Sequence, residues 1–212
     1  MARGCVSDGG HLAIGSPAPG HYGPAATGVT LVETPIAAAW NVQGDAARPP
    51  FVEAARRLFG IALPATPNTC AASEALTALW LGPTSWLLVA GAASALTDYA
   101  ARRDVLNAAG GALFDLTASR VAWTVSGPHA ATVLAKHCPL DLHLRTFAEN
   151  ACAQSVLGHV NVLICKRDAA SFTVMAARSL ARDVWRMLCI SAAGKRGKRR
   201  KKGPGSFIGG RR

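Results

Sequence analysis

The run from Ala75 to Thr97 carries no charged side chain and no histidine, the longest such stretch in the chain, and it is long enough to cross a bilayer. Gly82-Pro83-Thr84-Ser85 interrupts it, and a proline flanked by glycine and small hydroxyl residues is turn chemistry, not helix interior. Each half is then strand-length: Leu76-Thr77-Ala78-Leu79-Trp80-Leu81 before the turn, Trp86-Leu87-Leu88-Val89 after it. The stretch reads as a β-hairpin rather than a membrane span. It commits the chain to a sheet.

Other segments add strands and helices around that hairpin. Val29-Thr30-Leu31-Val32 and Ile36 to Val42 read as strands, the second with Trp40 and Val42 on one face. Pro49-Pro50 precede Phe51, Ala54, Ala55, Leu58 and Phe59, the stripe of an amphipathic helix with Arg56 and Arg57 outside and Gly60 as its stop. Leu63 to Asn68 reads as a loop. Ser94 is a candidate cap for a helix carrying Leu96, Tyr99, Ala100 and Leu106 and ending at Gly110-Gly111. Leu113 to Leu116 and Arg120 to Val125 alternate like strands. Ser126-Gly127-Pro128 is a helix-start signal, with Ala130, Ala131, Val133 and Leu134 as the buried face. Ala151 to Leu157 and Val160 to Cys165 flank Gly158-His159 as a second hairpin, followed by a strand at Phe172 to Met175. Ser179 opens a last helix with Leu180, Val184, Met187 and Leu188 on one side.

Strands and helices do not alternate strictly, so the fold class is α+β, with two small α/β subdomains and mixed or antiparallel sheets. The expected organisation is a poorly ordered arm over 1–27, a folded domain over 28–192 with subdomains 28–110 and 111–192, and a basic disordered tail over 193–212.

Half of the 212 residues are hydrophobic and 17% charged, which excludes a chain disordered throughout. The net charge of +11 resembles that of a nucleic-acid binder until it is located. Residues 195–212 carry nine basic residues and no acid, which leaves the rest of the chain at +2. The six cysteines (Cys5, Cys70, Cys138, Cys152, Cys165 and Cys189) include no C-x-x-C pair, so reduced, mostly buried thiols are expected. The first residues offer no apolar h-region. A cytoplasmic protein without a secretory signal is the expectation.

Chemistry-bearing motifs are sparse. The glycine pairs Gly9-Gly10, Gly110-Gly111 and Gly209-Gly210 do not make a G-x-G-x-x-G fingerprint, and no P-loop lysine follows a glycine-rich turn. His137, Cys138, Asp141 and His143 lie close together and raise the idea of a metal or thiol site. The simpler reading is a helix C-terminus running into a proline turn. Asp115 and Asp141 are lone carboxylates and give no acid/base pair. Trp80, Trp86, Trp123 and Trp185 raise a stacking platform for a base or pterin, but each sits in an apolar element and reads first as core or subunit interface. No catalytic, cofactor-binding or metal-binding residue is assigned. Many large apolar residues without a catalytic constellation suit a structural subunit covered by a partner.

The strings Trp80-Leu81-Gly82-Pro83, Trp86-Leu87-Leu88, Arg120 to Pro128 with its Ser126-Gly127-Pro128, and Val133 to His143 with its Cys138-Pro139-Leu140-Asp141-Leu142-His143 carry a resemblance. Phe147, Cys152-Ala153-Gln154, Arg178-Ser179-Leu180-Ala181 and the segment Leu58 to Asn68 extend it. In this order, over about residues 28 to 190, the chain resembles the gamma subunit of heterotetrameric sarcosine oxidase. The resemblance implies a fold like the folate-binding domain of glycine-cleavage aminomethyltransferases. It also implies a complex that oxidatively demethylates sarcosine to glycine, with methylenetetrahydrofolate and hydrogen peroxide formed by the whole assembly. It implies alpha, beta and delta subunits as partners, with FAD, FMN, NAD, zinc and tetrahydrofolate on those subunits and none on this chain. The chain alone is then expected to be inactive. Thr84-Ser85 departs from the family, which more often has acidic residues in that turn.

Two other classes remain in view. One is a stand-alone folate-binding or aminomethyltransferase-like protein, which needs an acidic residue near its substrate and a pterin pocket. The other is a nucleic-acid-associated protein acting non-specifically through Lys195 to Lys202.

Overall fold

The computed structural model describes residues 20–22, 28–91 and 98–193. The uncharged run folds as the sequence predicts, with β5 (Leu76–Gly82) and β6 (Ser85–Ala90) paired antiparallel around Pro83-Thr84 and a register shift between Trp80 and Gly82. β3 (Ala38–Gln43) pairs with β6 and with β7 (Ala112–Asp115), and β4 (Cys70–Ala72) pairs with β5. The result is a five-stranded sheet in the order β4-β5-β6-β3-β7.

A six-stranded sheet is built from β1 (Gly20–Tyr22), β2 (Val29–Thr34), β8 (Arg120–Ser126), β9 (Cys152–Leu157), β10 (Val160–Asp168) and β11 (Ser171–Ala177), in the order β1-β2-β8-β11-β10-β9. Each strand pair in both sheets is antiparallel.

Period-two alternation gives each sheet two apolar faces, which explains the four layers of the molecule. Trp40, Val42, Leu76, Ala78, Trp86 and Leu88 face α1 (Pro49–Phe59) and α2 (Tyr99–Ala108). Val121, Trp123, Val125, Ile164 and Val174 face α3 (Ala130–Ala135) and α4 (Ala181–Ala193). The opposite faces meet in a central seam, where Ala39, Cys70, Leu79 and Leu87 of one sheet pack on Ala122, Cys152, Leu163, Cys165 and Met175 of the other. Helices therefore lie outside and the two sheets lie back to back.

α1 forms as its stripe dictates. Proline occupies its first turn, Phe51, Ala54, Ala55 and Phe59 are buried, and Gly60 closes it in the left-handed conformation at φ 65°. Phe51 is fully enclosed, and burying it contributes roughly 1.5–3 kcal/mol.

The structure corrects several expectations. Sheet membership ignores a cut near residue 110, because β2 belongs to the six-stranded sheet and β7 to the five-stranded one. The chain changes sheets between Thr34 and Ala38, where Pro35 lacks an amide hydrogen to continue a ladder. Gly20–Tyr22 forms an edge strand inside the segment expected as a loose arm, since pairing with Val29–Leu31 needs backbone groups and no apolar period. Ser126 is the last residue of β8, not a helix cap; the cap position of α3 belongs to His129. A 3-10 turn, Arg178–Leu180, precedes α4. The expected cap Ser94, Leu96, the remaining arm residues (1–19 and 23–27) and the tail from 194 lie outside the described residues.

Candidate functional site

At one end of the central seam the apolar packing gives way to a cleft of about 380 Å³. Both sheets line it. Thr34 and Thr124 bridge β2 and β8 with their hydroxyls 2.7 Å apart, and the Arg167 guanidinium donates to Thr77 Oγ1 at 2.9 Å. Thr173, opposite Thr124 in register, adds a further hydroxyl. Among the described residues Glu74 is the one carboxylate on the lining, and no aromatic side chain lines it.

Deeper in the seam, beside Cys165 on the cleft wall, three free thiols converge. Cys152 and Cys165 stand opposite each other across β9 and β10. Cys70 arrives from β4 on the other sheet, its Sγ 3.1 Å from Cys165 Sγ. The corner that delivers it is tied by backbone. Cys70 N donates to the Asn150 carbonyl and Cys152 N to the Asn68 carbonyl, each at 2.8 Å, around the bridge of Thr69 with Ala151. Cys152 Sγ donates to the carbonyls of Thr69 at 3.2 Å and Trp80 at 3.6 Å.

These thiols are electrostatically unequal. The hydrogen bond from Cys165 holds the Cys70 thiol below its ordinary range, against the opposing effect of burial and with help from the Arg167 charge. The same hydrogen bond pushes Cys165 up, and burial adds to it. Burial, followed by the proximity of Cys70, pushes Cys152 up to about 11. Nothing in the local sequence announces the meeting of Cys70 with Cys165, because they are 95 positions apart.

The motif residues weighed in the sequence lie elsewhere and do not assemble. Cys138 is a buried member of the core under α3 and α4, with Sγ 3.6 Å from Ser155 Oγ. Asp141 folds back on its own turn, accepting from His143 N at 3.0 Å and Thr146 Oγ1 at 2.9 Å. Those two bonds, the backbone one first, hold its carboxyl below the usual range. His143 Nδ1 accepts from Arg145 N, so this imidazole too serves the turn. Among the described residues no group of three His, Cys, Asp or Glu side chains is arranged to hold a metal ion. Asp115 accepts from Thr117 N at 2.8 Å and closes another turn. Cys189 is buried in the same core as Cys138.

Trp86 and Trp123 are enclosed in different cores on opposite sides of the molecule and share no platform. Trp86 Nε1 donates to the Pro64 carbonyl at 2.8 Å, whereas Trp123 Nε1 is buried without a partner among the described residues. Trp80 and Trp185 are half-buried at the margins of those cores. Lys166, which the sequence did not single out, is buried with Nζ 4.6 Å from the Phe172 ring centroid, a cation–π contact that replaces an acidic partner.

The profile of the sarcosine oxidase gamma subunit family matches residues 43–194. The chain belongs to that family. It is 36% identical over 121 residues to the sarcosine oxidase subunit gamma of Corynebacterium sp. strain U-96, covering 57% of this chain and 58% of that one. It is 36% identical over 104 residues to the subunit gamma of an Arthrobacter species, covering 49% and 50%. The matches thus span about half the length of these relatives. Among solved structures, a chain of the heterotetrameric sarcosine oxidase from Corynebacterium sp. U-96, in complex with pyrrole 2-carboxylate, superposes with a TM-score of 0.71 at 27% identity. That match covers 81% of this chain and 87% of the other. Aminomethyltransferase T of the glycine cleavage system from Bartonella henselae superposes with a TM-score of 0.55 at 18% identity, over 76% and 45%. The last comparison shows the shared fold, the one the sequence resemblance implied.

Proposed function

We propose that this chain is the non-catalytic gamma subunit of a heterotetrameric sarcosine oxidase, a complex that oxidatively demethylates sarcosine to glycine. Its task in this reading is assembly and stability of the larger subunits, termed alpha, beta and delta, in the cytoplasm. FAD, FMN, NAD, zinc and tetrahydrofolate belong to those partners, and methylenetetrahydrofolate and hydrogen peroxide are products of the whole complex.

The observation that carries the proposal is the superposition on 87% of a chain from a heterotetrameric sarcosine oxidase, well beyond the shared fold alone.

Co-expression of this chain with the flavin-bearing subunits tests the reading. A tag on this chain is expected to retain the other subunits and sarcosine-dependent peroxide formation, while the chain purified alone retains neither flavin nor activity. A yellow preparation of the isolated chain that oxidises sarcosine would overturn the non-catalytic role. Failure to retain any other subunit would overturn the proposal as a whole.

A further inference from the structure

We propose that Cys70 and Cys165 are a dithiol pair that a hydroperoxide oxidises to an intramolecular disulfide, stapling the two sheets across the central seam. The geometry carries it. The two sulfurs are 3.1 Å apart, both residues are free cysteines, and they come from different sheets. A disulfide needs the sulfurs at about 2.05 Å, so closure requires a further approach of about 1 Å. The cleft reaches one member of the pair, since Cys165 lies on its wall, and the Cys70 sulfur is 3.1 Å behind it.

The roles within the pair follow from the hydrogen bond between them. Cys70, which the hydrogen bond with Cys165 and the Arg167 charge hold lower than its neighbour, is the better nucleophile, and Cys165 is the resolving thiol. With hydrogen peroxide, Cys70 sulfur attacks one oxygen. An S–O bond forms, the O–O bond breaks, and the departing hydroxide takes the Cys70 proton as water. Cys165 sulfur then displaces the sulfenic hydroxyl. The S–S bond forms, the S–O bond breaks, and the Cys165 proton leaves with that hydroxyl as a second water. Two sulfurs lose two electrons and the peroxide gains them. Cys152, also in the cluster, is held apart from this chemistry by its own hydrogen bonds to Thr69 and Trp80.

The test treats the folded full-length chain with hydrogen peroxide, blocks remaining thiols after denaturation, and maps the peptides without reduction. The expected result is a peptide pair joined through Cys70 and Cys165, lost on treatment with dithiothreitol, together with a higher denaturation midpoint for the oxidised form. In Cys165→Ala the link is absent and Cys70 is expected to react with a sulfenic-acid probe. The proposal is overturned if both cysteines remain blockable thiols under conditions that oxidise the methionines. A link to Cys152 in place of either residue overturns it equally, and so does separate over-oxidation of the two sulfurs. The mapping on the unaltered chain stands even where the substituted chain does not fold.

Discussion

Two glycines from the sequence strings that carry the family resemblance make opposite predictions. Gly127, in Ser126-Gly127-Pro128, sits at φ 118°, and a Cβ built on it would lie 2.5 Å from the Gly28 carbonyl oxygen. Neither side of that clash can yield easily. Gly127 N donates to the Ala170 carbonyl at 2.9 Å, and its own carbonyl accepts from Ala130 N at 3.0 Å, so the corner between β8 and α3 is tied in place. Gly127→Ala therefore incurs about 1–3 kcal/mol of backbone strain and about 1–3 kcal/mol of overpacking. The combined loss, roughly 2–6 kcal/mol, is a large part of the 5–15 kcal/mol by which domains are usually stable. Gly82, in Trp80-Leu81-Gly82-Pro83, meets nothing within 4 Å. Gly82→Ala should fall within about 0.5 kcal/mol of the parent. Urea denaturation followed by tryptophan fluorescence measures both. With a slope of about 2 kcal/mol per molar urea, Gly127→Ala should lower the midpoint by about 1–3 M and Gly82→Ala by almost nothing. Equal midpoints for the two variants would refute the argument that the corner, and not the motif as such, demands glycine.

Three further outcomes are expected. Cys138→Ala should cost on the order of 1 kcal/mol in the same denaturation assay, leave sarcosine turnover of the assembled complex nearly unchanged, and remove no stoichiometric zinc; tight zinc lost on substitution would contradict it. Because the folded chain raises the Cys152 thiol from its ordinary value of 9.0 to about 11, its contribution to stability is complete below pH 9 and is lost as pH rises through 11. Denaturation midpoints measured across that window should fall less steeply in Cys152→Ala than in the parent. Deleting residues 195–212 removes nine of the eleven net positive charges and should abolish salt-sensitive retention on DNA without changing complex assembly or turnover. Loss of assembly on deletion would make the tail a docking element.

Much of the fold was legible because period and punctuation agree. The α1 stripe, the Gly82-Pro83 turn and the Gly158-His159 turn each combine an apolar pattern with a backbone-directing residue, and all three appear where the sequence places them. What escaped was either short or non-local. β1 and β4 span three residues each, too few for an alternation to register, and they exist because a neighbouring strand offers unpaired backbone groups. The exchange of β2 and β7 between sheets follows from long-range packing that no local window contains.

The thiol cluster lies on the boundary between these two kinds of information. Counting outward from the Gly158-His159 turn pairs Leu157 with Val160 and, five steps later, Cys152 with Cys165. The turn alone thus fixes which cysteines face each other, and alternation puts both on one side of the sheet. The third sulfur is another matter. Cys70 reaches Cys165 because a three-residue strand on the second sheet is held to the Asn150–Cys152 corner by two backbone hydrogen bonds and one bridge. Backbone contacts of that kind are nearly blind to side-chain identity, so they leave no pattern in the sequence. The pair that the sequence specifies, Cys152 with Cys165, is not the pair whose sulfurs meet; the sulfurs at 3.1 Å are those that tertiary structure alone brings together.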